Sequence, residues 1–339
     1  MPRPHSLHKD QGTVLLTTLL IMSIMAALAV VMVEDILLAV KRTGHIDREA
    51  QASWYIQGAD DYTQSYLEGF IAADNPAAAN APLKEGVSGL FPIEGGVMSF
   101  TIRDSSNCLS LELLRNSSGT DYFQILFETL GWEPNIATSH AARLTDWTDE
   151  DEQQAPQNGA EDFFYLGLSK PYRTANAPFA SVFEIRSLDI FEETEFQFLR
   201  PYICARKPSG QDDNNKINLN TLTAAQAPLL AVALGSTDHL QLALTLITNR
   251  PPEGWPDLES FWTAPELEGF DQNDSFAEQL LTTTPHHIWA DVTVTYRDIQ
   301  KRASFEYSIT NQSIEKNYRY FGDEAHWPLP VNLLEDETL

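Results

Sequence analysis

Thr13 to Val33 (TVLLTTLLIMSIMAALAVVMV) is a run of twenty-one residues without a charge. At about 1.5 Å rise per residue a helix of that length spans roughly 30 Å, the hydrocarbon thickness of a bilayer. The short segment ahead of it carries Arg3 and Lys9, which predicts an N-terminus on the cytoplasmic side. Glu34-Asp35 on the far side are consistent with export of everything that follows. A secretory signal peptide would close its apolar stretch with a small-x-small cleavage site. Here the matching cut, after Gly12, comes before the apolar run, so processing would leave the helix attached and Thr13 as the first residue.

The apolar periodicity outlasts the membrane. Ile36, Leu37, Val40, Ile46, Ala50, Trp54, Gly58, Tyr62, Tyr66 and Phe70 recur at three- and four-residue spacing, which predicts one helix from about residue 13 to about 72. Asn75-Pro76 begins its exit loop. Val97–Arg103 then alternates as a strand. Ile288–Tyr296 and Ala303–Ile309 read as a hairpin around Asp298 to Arg302. These pieces predict an α+β fold, a long N-terminal helix packed on a small antiparallel sheet. Its strands are interrupted by a large inserted domain, mainly α-helical, over residues 104–284. The implied divisions are 1–12 (leader), 13–33 (membrane segment), 34–103 (helix and first strand), 104–284 (insert), 285–310 (last strands) and 311–339 (acidic tail, expected to be irregular).

A faint duplication runs through the insert. Leu109-Ser-Leu-Glu-Leu-Leu114 matches Ile217-Asn-Leu-Asn-Thr-Leu222 in type, and each precedes an apolar helix ending in Leu-Gly, at 130–131 and 234–235. The first copy holds extra residues from about Asp149 to Pro178, the mark of a surface excursion. The second resembles a helix-hairpin-helix module. Its hairpin, Leu234-Gly-Ser-Thr-Asp-His239, has one Gly and a carboxylate where a phosphate would sit, which argues against binding DNA.

The formal charge of −26, from 22 Lys+Arg and 48 Asp+Glu, likewise opposes contact with nucleic acid or anionic lipid. Six carboxylates fall between Asp146 and Glu161. Packed together they repel unless water or a cation separates them. Calcium takes six to eight such oxygens, so the segment is either a calcium loop or a solvated acidic face. It is no EF-hand, since Gln154 stands where the sixth-position Gly would be, counting from Asp149. Cys108 and Cys204 are the only cysteines, and an even count in an exported domain points to a disulfide or to two buried thiols. Catalysis has little support. His286-His287 flank a strand with no nucleophile pattern near them, and paired carboxylates alone would have to carry a calcium-dependent hydrolase.

A cut at Gly12 ahead of an intact apolar helix resembles a type IV prepilin leader. Where pilins and pseudopilins carry Glu at the fifth mature position, this chain has Thr17, an absence typical of the type II secretion pseudopilin K. The resemblance extends through Asp146-Trp-x-Asp-x-Asp151, Gly159-Ala-Glu-Asp-x-x-Tyr165, Pro171-Tyr-Arg173, Ala175-Asn-Ala-Pro-Phe179, Arg200-Pro-Tyr202 and Ile217-Asn-Leu-Asn-Thr221. It implies a non-enzymatic tip subunit, single-pass in the inner membrane with its C-terminal domain periplasmic. Expected partners are the minor pseudopilins I and J, the major pseudopilin and the prepilin peptidase. Cleavage after Gly12 would be followed by methylation of Thr13. The family also implies calcium in the insert, matched to Asp149, Asp151 and Glu161, with Asp146 and Asp162 as further candidates. A minor pilin of a type IV pilus or competence system is the alternative.

Overall fold

In the computed structural model, the described residues are 11–71, 80–156, 158–207, 215–310, 313–322 and 326–327. The leader basic residues Arg3 and Lys9, the start of the exit loop and most of the acidic tail lie outside them.

Helix α1 runs unbroken from Gln11 to Ile71. Its apolar first part is exposed along its whole length, as a segment destined for lipid must be. Farther on, Ala52, Ile56, Ala59, Asp60, Thr63 and Leu67 are buried at three- and four-residue spacing. This stripe lies on a five-stranded antiparallel sheet, and the two alanines let the helix approach closely. After the short helix α2 (Asn80–Glu85) come β1 (Val87–Ile93) and β2 (Gly96–Asp104). The chain returns to the sheet some 180 residues later as β7 (His287–Tyr296), β8 (Ile299–Thr310) and β9 (Ser313–Phe321). The spatial order is β1-β2-β7-β8-β9. Ile102, Ile288, Val292, Val294, Phe305 and Tyr307 supply the sheet side of the core.

The two edge strands were not expected. The tail read as irregular begins with β9, which pairs with β8 from Ala303↔Phe321 to Thr310↔Ser313. Its sequence, Ser-Ile-Glu-Lys-Asn-Tyr-Arg-Tyr-Phe, hides its alternation because two charged side chains, still partly exposed, stand on the side of the sheet that meets α1. Lys316 Nζ donates to Asp60 Oδ2 at 2.6 Å, and Arg319 pairs with the same carboxylate. Tyr307 Oη donates to Asp60 Oδ1 at 2.5 Å. Burial alone would raise the Asp60 pKa, but these hydrogen bonds outweigh it and hold the carboxyl below its usual range. At the other edge, β1 contains Gly89 and Pro92, which demote a strand in sequence yet are tolerated at an edge. A Cβ at Gly89 would stand 2.3 Å from the Phe100 ring, so the ring replaces the missing side chain.

Residues 105–286 form the insert, and its duplication is visible in space. In the first half, β3 (Leu109–Ser110) leads through a 3₁₀ turn into α3 (Gly119–Thr129) and α4 (Pro134–Thr148). After α5 (Asp162–Leu166) and α6 (Glu193–Leu199), β4 (Ile203–Cys204) returns parallel to β3. The second half repeats the plan. There β5 (Ile217–Asn218) leads into α7 (Ala227–Ala233) and α8 (Leu240–Thr248). The chain continues through α9 (Leu258–Trp262) and α10 (Ala277–Leu280) to β6 (Leu281–Thr282), parallel to β5. The glycines that end α3 and α7 both take left-handed backbone, with φ of +104° at Gly131 and +88° at Gly235. The two halves share one core, in which Phe123, Leu126 and Phe127 meet Leu229, Leu230 and Leu234.

Cys108 and Cys204 are joined in a disulfide that closes the first half, across 96 residues of sequence. On the entropic account a loop of that length contributes about 4.7 kcal/mol. Replacing both cysteines by Ser is expected to lower the unfolding free energy of the full chain by about that amount in denaturant titration. An unchanged midpoint would show that the bond is dispensable to the fold.

Candidate functional site

The acidic excursion leaves the last turn of α4 and comes back onto it. Asp146 lies on that turn and is 1% exposed, while Asp149 caps the helix end in extended backbone. The chain then loops outward and re-enters at Gly159-Ala160-Glu161, where Glu161, 7% exposed, precedes α5. One carboxylate oxygen from each of Asp146, Asp149 and Glu161 lies within 4.8 Å of the other two.

Backbone contacts hold the loop in this shape. Both Asp146 oxygens accept the Ala155 N–H, at 3.1 and 3.2 Å. Gln154 Nε2 donates to the Gly159 carbonyl at 2.6 Å. Ser139 and Arg143, on α4, donate to the Asn158 carbonyl, both at 3.3 Å. Gly159 is required by space, since a Cβ there would sit 2.0 Å from Asp146 Oδ2. Behind the carboxylates stands an aromatic wall of Trp147, Tyr165 and Tyr172, with ring centroids 5.2 to 6.3 Å apart. Trp147 is held by its Nε1–H donating to Glu184 Oε1 at 3.0 Å.

The electrostatics are those of crowded anions. Burial, then the charges of Asp146, Asp149 and Asp151, push Glu161 up to about 7. Burial, then Asp146 and Asp151, push Asp149 up to about 6. Asp146 is also raised, by burial first, against the hydrogen bonds it accepts from Ala155 and Ala160. Burial moves the Tyr165 phenol upward as well. Among the described residues, Asp149 Oδ1 and both Glu161 oxygens are buried without a hydrogen-bond partner, as are Tyr165 Oη and Asn176 Oδ1. Buried oxygens of this kind cost free energy unless something positive meets them. A donor set of hard oxygens around one point suits a divalent cation such as Ca²⁺.

Of the five acidic residues matched in sequence, Asp149, Glu161 and Asp146 come together. Asp151 stands beside them, its charge acting on all three, while its Oδ1 accepts the Gln153 N–H at 2.7 Å. Asp162 is engaged elsewhere. Its Oδ1 accepts from Thr174 N and Oγ1, at 3.0 and 2.9 Å, and Arg173 lies 3.2 Å from Oδ2. Asn176, remote in sequence, also comes close to the end of α4. Its N–H donates to the Trp147 carbonyl at 3.1 Å, and its φ is +44°.

The other sequence candidates fall into place. Thr17 Oγ1 donates to the Val14 carbonyl at 2.9 Å, satisfied within the helix where a carboxylate would need an outside partner. In the helix-hairpin-helix half, a Cβ at Gly235 would lie 2.3 Å from the Asp274 carbonyl, so the hairpin faces protein rather than phosphate. His287 is buried 3.6 Å from Glu306, and His286 Nε2 lies 3.4 Å from the Thr282 and Thr284 hydroxyls.

Comparison with known proteins adds the lineage. Two family models described as type II secretion system (T2SS), protein K match residues 107–208 and 217–284. The type II secretion system protein K of Pectobacterium carotovorum subsp. carotovorum is 33% identical over 264 residues, covering 74% of this chain and 78% of that protein. Its counterpart in Klebsiella pneumoniae is 32% identical over 275 residues, covering 78% and 82%. The fold is similar to a chain in the crystal structure of the GspK-GspI-GspJ complex from the enterotoxigenic Escherichia coli type 2 secretion system. The TM-score is 0.71 at 24% identity, over 84% of this chain and all of that one.

The raised carboxyls set a pH dependence. In chelator the folded state holds protons on Glu161 and Asp149 that the unfolded chain has already lost. Their contribution is therefore full below about pH 4 and disappears as pH rises through about 6 and then about 7. Glu161→Gln should flatten the Tm profile between about pH 5 and 7.5 relative to the parent. Parallel profiles over that range would refute the crowding of these groups.

Proposed function

The chain belongs to the type II secretion system protein K family, and from that premise we propose that it caps the tip of the pseudopilus. As a member of that family it is a minor pseudopilin of type II secretion, a structural component rather than an enzyme, with one apolar N-terminal helix suited to anchoring it in a membrane. The observation that carries the tip reading is the size and place of the insert. Some 180 residues leave the sheet after β2 and return before β7. A second subunit could not stack over that bulk, so this chain terminates a filament rather than extending it.

The partners on this reading are minor pseudopilins I and J, which assemble with the protein K relative in the enterotoxigenic Escherichia coli complex. The remaining steps follow from the N-terminal segment. Prepilin peptidase cuts after Gly12, Thr13 is methylated, and the helix rests in the inner membrane with its N-terminus cytoplasmic until it joins the major pseudopilin. Thr17 leaves out the carboxylate that would pair with a neighbour's N-terminal amine, so no neighbour above is called for. Immunogold labelling of sheared pseudopili should mark one end only. Label spread along the shaft would rule out a cap.

Calcium is the cofactor of this reading. Asp146, Asp149 and Glu161 would hold it, with Asp151 adding negative charge, and the partnerless buried oxygens of Asp149 and Glu161 support the assignment. The ion would offset the mutual repulsion and hold the excursion against α4. A ligand bound only by the native state stabilises by about 2.7 kcal/mol at a hundredfold excess over Kd. The full chain in detergent should therefore melt higher in millimolar Ca²⁺ than in chelator. Asp149→Ala and Glu161→Ala should shrink the shift, and His286→Ala should leave it intact. Identical melting with and without Ca²⁺ would reduce the loop to a solvated acidic face.

A further inference from the structure

The insert connects to the core by only two chain crossings, residues 104–107 leaving β2 and residues 283–287 entering β7. Two crossings alone would make a hinge; the first half of the insert also touches the sheet side, where Phe183 meets Tyr320 and Arg200 donates to the His326 carbonyl at 3.2 Å. Between the crossings is wedged Ile217–Thr221, a segment from the middle of the insert. Asn218 is fully buried, and its Nδ2 donates to Asn80 Oδ1 at 2.9 Å and to Asp104 Oδ2 at 2.7 Å. Its N–H donates to Asn107 Oδ1 at 3.0 Å. Asn80 belongs to the core, at the start of α2, and its own Nδ2 donates to the Thr283 carbonyl at 2.8 Å. Asn220 Nδ2 donates to that same carbonyl at 2.9 Å and to the Trp255 carbonyl at 2.8 Å. Thr221 Oγ1 donates to Asp104 Oδ2 at 2.6 Å. One short segment thus ties both crossings to each other and to a third point on the core.

The chemistry of the contact matters. Buried amides cost free energy unless each is bonded, and these are bonded at fixed distances and directions. An apolar contact of the same area would adhere yet could slide or turn, because hydrophobic attraction has no direction. The geometry points to Asn80, Asp104 and Asn218 as positioning residues that lock the attitude of the insert on the pseudopilin core. The use of that lock rests on the cap reading, since a cap on a swivel would present no constant face to the subunits beneath it. Ile217-Asn-Leu-Asn-Thr221 is accordingly a joint, and its asparagines serve orientation rather than a ligand.

The test places spin labels on the full chain in detergent, at Asp238→Cys in the insert and Glu315→Cys on β9, both exposed positions. The native disulfide is kept. Double electron–electron resonance should give one narrow distance distribution for this labelled parent. Asn80→Ala should widen it about twofold while a cooperative melt and the Cys108–Cys204 bond persist. Asn249→Ala, which removes only a bond to Glu266 within the insert, should leave the width unchanged. If Asn80→Ala fails to accumulate, Asn218→Ser is read the same way. A broad distribution in the parent, or an unchanged width in a folded joint variant, overturns the assignment. Secretion by cells carrying Asn80→Ala separates the two readings. Widening with full secretion upholds the joint and removes only the idea that capping needs it.

Discussion

Helix α1 has to satisfy two solvents with one uninterrupted backbone, and the rest of the chain is arranged around that demand. In lipid every backbone polar group must be bonded within the segment, which forbids a break between Thr13 and Val33. Beyond the bilayer the same helix needs one side that water does not reach. It obtains this by laying Ala52, Ile56, Ala59 and Leu67 on the sheet. A sheet with one helix across it is small, and the edge strands β1 and β9 widen the surface that the helix can cover. Asp60 follows from the same constraint. A carboxylate on the buried face is tolerated because Tyr307, Lys316 and Arg319 all reach it, and in doing so they fasten the last strand to the first helix.

The insert obeys a different rule. It carries its own core, built from two copies of one strand–helix–helix plan packed on each other, and meets the sheet through contacts such as Phe183 on Tyr320 and Arg200 donating to the His326 carbonyl. A core of its own is what allowed some 180 residues to be placed between β2 and β7. It also creates the problem of orientation, because two folded bodies linked by two crossings can turn. The polar joint around Asn218 and the buried Arg206, which donates to the Ser105 carbonyl at 2.8 Å, sit where that turning would occur.

The sequence was most legible where one physical requirement dominated. A bilayer fixed the apolar run, helical periodicity carried it to Phe70, and alternation exposed β2, β7 and β8. It was least legible at the edges. In β9 the partly exposed Lys316 and Arg319 look like ordinary surface charges until Asp60, some 256 residues away from Lys316, is placed within their reach. In β1, Gly89 reads as a weak point until Phe100 covers it. At the carboxylate cluster, density of charge located the loop but could not rank its members. Asp162 is adjacent to Glu161 in sequence and yet faces Thr174 and Arg173, because the first turn of α5 sends the two side chains apart.

The carboxylate cluster and the joint also differ in how they hold their surroundings, and the difference bears on assembly. The joint is closed by bonds among groups the chain itself supplies, so it forms as the protein folds and stays formed. The cluster gathers charges that repel, and the raised carboxyls of Asp149 and Glu161 make its charge depend on pH between about 6 and 7. With the joint fixed and the excursion responsive, the part of the insert that can change with its surroundings is the acidic loop on the first half. The attitude of the whole insert is set beforehand by asparagines that need nothing from outside.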